Sequence, residues 1–155
     1  MNAKTLLAFG ATAVQAVLTT PFFVAYVHKA YIEGVTLDES HIGDMLSSAL
    51  YVARHTPVFM MNRSGEPLGE KSSYRCVSYT WSHPTIRPWG SHLPLQCPGC
   101  GALASLRCKQ LDKGTIATTC MNTRCEERRI YPKPADVRVV KHGEVGHWLA
   151  RVVGS

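Results

Sequence analysis

No cysteine stands in the first 75 residues of this 155-residue chain, and no charged side chain stands between Thr5 and Val27. The first absence removes disulfides and thiolate metal sites from the N-terminal half. The second leaves an uncharged run long enough to span a bilayer, although Gly10, Gln15, Pro21 and its threonines dilute it. Charged residues make up 18% of the chain and hydrophobic residues 45%; this is ordinary globular composition and argues against global disorder. Nowhere do a nucleophile, a base and an acid form a set that would mark an enzyme. The sequence therefore reads as non-enzymatic.

Three readings of Thr5–Val27 stay open. One is a membrane span or anchor. Another is a signal peptide, with Lys4 before a short apolar stretch and small residues at Ala11, Ala13 and Ala16, cleaved after Ala16. Against cleavage, hydrophobicity resumes at Phe22-Phe23-Val24. The third reading is two buried elements split by a turn at Thr19-Thr20-Pro21, with Ala13–Leu18 leaning towards strand. In that reading Thr20 caps a helix whose first residue is Pro21. Phe23, Val27 and Tyr31 recur at helical spacing, and Gly34 ends the helix. Thr36 and Glu39 then form a capping box for a helix carrying Leu37, Ile42, Met45, Leu46, Leu50 and Val52, fading at Arg54-His55 before Pro57.

The stretch from Phe9-Gly10-Ala11 through Val14, Pro21 and Tyr31 to Gly34-Val35-Thr36-Leu37-Asp38-Glu39 is similar to the later part of caspase-like CHAT domains. The similarity covers residues 8–50. That family's catalytic His and Cys lie upstream of the matching region, so the resemblance implies an inactive fragment and carries no site residues.

Val58–Met61 reads as a buried strand, and Asn62 to Pro67 has turn chemistry throughout. Tyr74–Trp81 alternates and reads as a second strand. His83–Pro94, with three prolines, is an irregular arm. Trp81, Trp89, Tyr74 and Tyr79 interleave with Arg75 and Arg87, a mixture able to stack nucleobases; the plainer reading, that they close a small core, is preferred.

All six cysteines follow residue 75. Cys97-Pro98-Gly99-Cys100-Gly101 is a knuckle that turns two thiolates towards one metal about 2.3 Å away. Nineteen residues separate Cys100 from Cys120, and four separate Cys120 from Cys125. The longer spacer makes a hairpin, Leu103–Lys109 out and Thr115–Thr119 back around Lys113-Gly114, which sets the second pair against the first. Four soft ligands in two local pairs are the arrangement of a closed structural zinc site. Disulfides in a secreted protein are the rival. A thioredoxin-like role is disfavoured because the knuckle opens no helix. Cys76 and Cys108 read as small buried hydrophobes, with Cys108 a spare ligand; His83, His92, His142 and His147 read as ordinary histidines.

Cys97, Pro98, Cys100, Gly101, Cys120, Asn122 and Cys125 resemble the zinc ribbons repeated at the C-terminus of type IA topoisomerases, over residues 95–131. The resemblance implies Zn2+ ligation by the four cysteines and suggests binding to single-stranded DNA. The usual aromatic near the second pair is missing, and Arg124 stands where lysine is common.

Charge is uneven. Residues 1–60 carry three basic and four acidic side chains, and residues 61–155 carry fourteen and seven. Arg107, Lys109, Lys113, Arg124, Arg128 and Arg129 cluster on the ribbon, a composition suited to phosphates.

The expected fold is α+β: a hydrophobic helical or βαα region (1–61), a linker and strand arm (62–94), a zinc ribbon (95–132), and a tail packing on the body (133–155). The expected function is nucleic-acid binding through the basic ribbon, in the nucleus or cytoplasm. The alternatives are a protein-interaction adaptor, a secreted disulfide protein and a caspase-like remnant.

Overall fold

The alternation along Tyr74–Trp81 builds the centre of the molecule. Strand β3 (Ser73–Ser82) turns Val77, Tyr79 and Trp81 to one side, and all three are buried. The computed structural model describes residues 5–64, 73–143 and 145–154. Around β3 they form β1 (Thr5–Phe9), α1 (Ala16–Val27) with a π turn (His28–Ile32), α2 (Glu39–Ser47), α3 (Leu50–His55) and β2 (Val58–Ser64). After β3 come a 3-10 turn (Pro88–Gly90), β4 (Leu106–Asp112), β5 (Thr115–Cys120), β6 (Arg128–Pro132), β7 (Val137–His142) and β8 (His147–Val153).

The chain is α+β, with two antiparallel sheets. The larger has the order β1-β2-β3-β8-β7, and the smaller β4-β5-β6. The last two strands, Val137 onward, therefore return to the main sheet, and β8 lies between β3 and β7 rather than at an edge. The three helices form an excursion between β1 and β2 and cover one face of the sheet. Phe22, Ile42, Met45, Leu46, Ala49 and Val52 pack there on Val58, Met60, Val77, Tyr79, Trp81, Trp148 and Ala150.

Several local expectations shift. The division in the N-terminal run falls at Gly10–Gln15, not at Thr19-Thr20-Pro21; α1 starts at Ala16, so Ala13–Leu18 supplies no strand and Pro21 lies inside the helix. Proline there leaves the Val17 carbonyl without its usual N–H. The Thr19 and Thr20 hydroxyls donate to the Ala16 carbonyl at 3.1 and 2.8 Å. Burial overrides the local signal: Phe22 is fully buried, with Leu18 four residues earlier packed against the same core. Helix α1 is thus rotated from the expected phase, and Phe23, Val27 and Tyr31 are exposed. Gly34, at φ +67°, follows the π turn as the expected helix stop.

The next helix is capped by Asp38, whose carboxylate accepts the His41 N–H at 3.2 Å, rather than by Thr36. Glu39 bonds instead to Arg75 of β3 at 3.1 Å and to Arg138 of β7, tying α2 across the sheet. The single helix expected through Val52 breaks at Ser48-Ala49; the Leu50 side chain lies outside the described structure. Pro57 forces Thr56 into an extended conformation (φ −153°, ψ 144°), which ends α3 after His55. Strand β2 continues through Asn62 to Ser64, where a turn was expected; Gly65–Pro67 lie outside the described residues. No helix among the described residues is long and apolar enough to cross a membrane.

The inward phase of α1 gives a direct check. Phe22→Ala is expected to cost about 3–5 kcal/mol of unfolding free energy, the usual loss for emptying a buried aromatic site. Phe23→Ala, on the exposed side, should cost under about 1 kcal/mol. Urea denaturation of both variants measures this, and equal losses would contradict the placement.

Candidate metal centre

The knuckle is built by local hydrogen bonds. Cys97 N–H donates to the Ala102 carbonyl at 2.9 Å, and Gly101 N–H donates back to the Cys97 carbonyl at 2.8 Å. Gly101 sits at φ +72°, a left-handed conformation that disfavours side chains. Gly99 does not share it, although a tight knuckle could have used glycine at both positions for its backbone freedom. It is small for another reason, since a Cβ there would stand 3.2 Å from the Cys125 sulfur and 3.1 Å from Glu127 Cβ.

The second pair stands at the end of β5 and in the loop after it. Cys120 N–H donates to the Glu127 carbonyl at 3.0 Å and Cys125 N–H to the Asn122 carbonyl at 2.9 Å. The connecting hairpin forms, with its outgoing strand at Leu106–Asp112 rather than Leu103–Lys109: Leu106 pairs with Cys120 and Cys108 with Thr118. Its tip is held by the Asp112 carboxylate, which accepts Gly114 N–H at 2.7 Å.

This folding brings Cys97, Cys100, Cys120 and Cys125 together, with all four sulfurs within 4.8 Å of one another. Cys97 Sγ lies 3.7 Å from Cys125 Sγ, and Cys100 Sγ lies 3.7 Å from Cys120 Sγ. A tetrahedron of sulfurs about 2.3 Å from a central zinc has edges of about 3.8 Å. The spacing is therefore that of ligands around one ion, whereas a disulfide would need about 2.05 Å. All six cysteines are free thiols. Among the described residues this is the one group of three or more Cys, His, Asp or Glu side chains placed to hold a metal. Four close cysteines able to bind a metal ion are thus a property of the fold.

The protein surrounds these sulfurs with polar groups. Asn122 gives its backbone N–H to Cys120 Sγ at 3.4 Å and its side-chain amide to Cys100 Sγ at 3.6 Å. The Ser105 hydroxyl oxygen accepts from the Cys120 thiol at 3.4 Å and its own O–H donates to the Ala102 carbonyl at 3.0 Å. Ser105 first, and then the Asn122 N–H, hold the Cys120 thiol down to about 7. Cys125 accepts the Glu127 N–H, which favours its thiolate, yet desolvation and the neighbouring sulfurs outweigh this and push it up to about 12. Thiolates this close repel one another, so the sulfurs titrate as a coupled group. A divalent cation removes that repulsion, and such ligands bind as thiolates.

The four cysteines that the sequence paired are the four that the fold brings together. Ser105 and Glu127 were missed, and nothing in their sequence context marks them. Cys108 is buried on β4 outside the four-sulfur group, where burial raises its thiol, so it is not the spare ligand. The four histidines join no such group. Burial, and then His142, Lys133 and His83, lower the pKa of His147. Of the aromatic and arginine set, Tyr79, Trp81 and Arg87 are buried, which removes them as stacking surfaces. Trp89 donates its indole N–H to the Tyr131 carbonyl at 3.0 Å and so pins the arm to β6.

Strand parity sorts the six basic residues. Arg107 pairs with Thr119 and Thr119 with Arg128, one row across the ribbon; Lys109, Ala117 and Ile130 form the next row on the same face. Arg129 points to the opposite face and bonds to Glu127 at 2.8 Å. Lys113 is at the hairpin tip and Arg124 on the loop between the second cysteines, both exposed. No family model matches this chain, and no curated protein or solved structure matches it either.

The metal assignment predicts a specific pattern of loss. Cys125→Ser should abolish stoichiometric binding and unfold the ribbon, whereas Cys108→Ala should retain one metal ion per chain. Metal content after exhaustive dialysis, read together with far-ultraviolet circular dichroism, tests both. Acidification should release the ion, since protons compete for the sulfurs as pH falls.

Proposed function

We propose that the four cysteines hold one structural Zn2+ and that the ribbon it closes presents a basic face to the phosphates of a nucleic acid. The observation that carries this reading is the row Arg107–Thr119–Arg128 with Lys109 beside it. All three cations are exposed, and among the described residues none of them is in an ion pair. Three cations fixed on a rigid three-stranded sheet attract a polyanion without paying much side-chain or backbone ordering. Lys113 and Arg124 extend the positive surface at either end. Arg129 is a weaker candidate because Glu127 already occupies it.

In this reading zinc acts on the fold and not on a substrate. Four thiolate ligands leave no open position for water, so the site is non-catalytic. The geometry suits zinc, which takes four sulfurs tetrahedrally. A thiolate zinc site is kept most readily in a reducing compartment, so this reading goes with the nucleus or cytoplasm. Contacts of Lys and Arg with phosphate give affinity that falls steeply with salt and little sequence preference. Tyr79 and Trp81 are buried and take no part in base stacking, whereas Tyr74 stays exposed.

Titration of labelled single-stranded and duplex oligonucleotides at two salt concentrations tests the reading. Arg107→Glu with Arg128→Glu should weaken binding at least tenfold and flatten the salt slope by roughly one per lost phosphate contact, with metal content unchanged. Binding that is absent, or indifferent to salt, would remove the nucleic-acid reading and favour a protein-interaction adaptor.

A further inference from the structure

The two edges of the main sheet are treated differently. On β7 the register shifts between Val139 and Lys141, an irregularity that breaks the ladder, and its charged Arg138 and Lys141 pair with Glu39 and Asp44 of α2. Bulges and charges of this kind keep a sheet edge from accepting another strand. Strand β1 has neither. Its sequence, Thr5-Leu6-Leu7-Ala8-Phe9, contains no charge and no proline, its register with β2 is unbroken, and no described strand lies beyond it.

The hydrogen-bond phase of that edge follows from its pairing. Gly10 N–H donates to the Pro57 carbonyl at 2.9 Å, and in an antiparallel ladder hydrogen-bonded pairs alternate. Leu6 and Ala8 therefore spend their backbone groups on β2, opposite Met61 and Phe59. The N–H and C=O groups of Thr5, Leu7 and Phe9 point outward. Side chains on both faces there are apolar: Leu6 is 54% exposed, and Phe9 meets the half-exposed Phe23 of α1 at a ring separation of 6.0 Å. Phe23, Val24, Val27 and Ile32 continue that apolar flank along a shallow groove of about 520 Å³.

The geometry points to pairing of β1 with β1 of a second copy of this chain, antiparallel about a two-fold axis at Leu7. In that register Leu7 stands opposite Leu7, and Thr5 of each copy opposite Phe9 of the other. All three outward residues of both strands then meet as hydrogen-bonded pairs, and the two five-stranded sheets become continuous. Leu6 is covered by Ala8 of the other copy. An edge strand accepts only another extended strand, and this one asks for an uncharged apolar partner with outward groups at every second residue; β1 itself meets those terms. A two-fold contact of this kind is self-complementary and closed, so it stops at two copies. The interface stands apart from the ribbon and does not depend on its ligand.

Sedimentation equilibrium of the full chain should give twice the mass of one chain. Leu6→Lys adds a charge at the pairing edge on an exposed side chain. Thr5→Pro removes an outward N–H that β2 does not use. Each should weaken self-association at least tenfold while leaving metal content and circular dichroism unchanged. Amide exchange gives a second readout that needs no variant: the Thr5, Leu7 and Phe9 N–H groups should be protected, although β2 does not bond them. A monomeric chain at every attainable concentration, a dimer that both variants leave intact, or fast exchange at those three amides would overturn the proposal.

Discussion

Four sulfurs cannot sit within 4.8 Å of one another as thiolates unless something positive stands between them. That constraint organises the C-terminal half of the molecule. The ribbon has little else to hold it: its buried side chains are the small set of Cys108, Ile116, Ala117 and Thr118 beside the cysteines. So few apolar groups do little to offset the entropy of ordering three strands and two loops, and a metal held by the four cysteines would supply the staple that small modules need. The two N–H donors of Asn122, with Gly99 cleared for the Cys125 sulfur, form a shell suited to charge at those atoms.

The consequence reaches the main sheet. Strand β8 lies between β3 and β7, and its register runs from Cys76–Val153 to Ser82–His147. The chain reaches β8 only after it has left β3, built the arm and the ribbon, and returned. Closing that excursion costs loop entropy, and a fixed ribbon shortens the effective loop. Trp89 binding the Tyr131 carbonyl joins arm to ribbon at the point where the chain turns back. A metal held by the four cysteines would be remote from the hydrophobic core yet would favour its completion.

What could be read from the sequence divides along locality. The knuckle was legible because Cys97 to Gly101 contains its own turn, and the hairpin because Lys113-Gly114 sits midway between two strand-like runs. The alternation of β3 was equally plain. Thr19-Thr20-Pro21 misled because a local stop signal was overruled by burial of Leu18 and Phe22, and Thr36 misled because Asp38 was a nearer cap. The phase of α1 was wrong by about one residue for want of a clear apolar stripe. The central position of β8 was invisible, since pairing with a strand about 70 residues earlier in the chain leaves no local trace. For the basic residues, composition treated Arg107, Lys109, Arg128 and Arg129 as equals. Strand parity and one carboxylate, Glu127, separate them.

X-ray absorption at the zinc edge, on the chain purified with its metal, tests the central claim most directly. Four sulfur scatterers at about 2.3 Å, with no lighter atom in the first shell, are expected. A shell containing nitrogen or oxygen, or a chain that carries no metal and has its cysteines oxidised in pairs, would contradict a closed four-thiolate centre as the support of this fold.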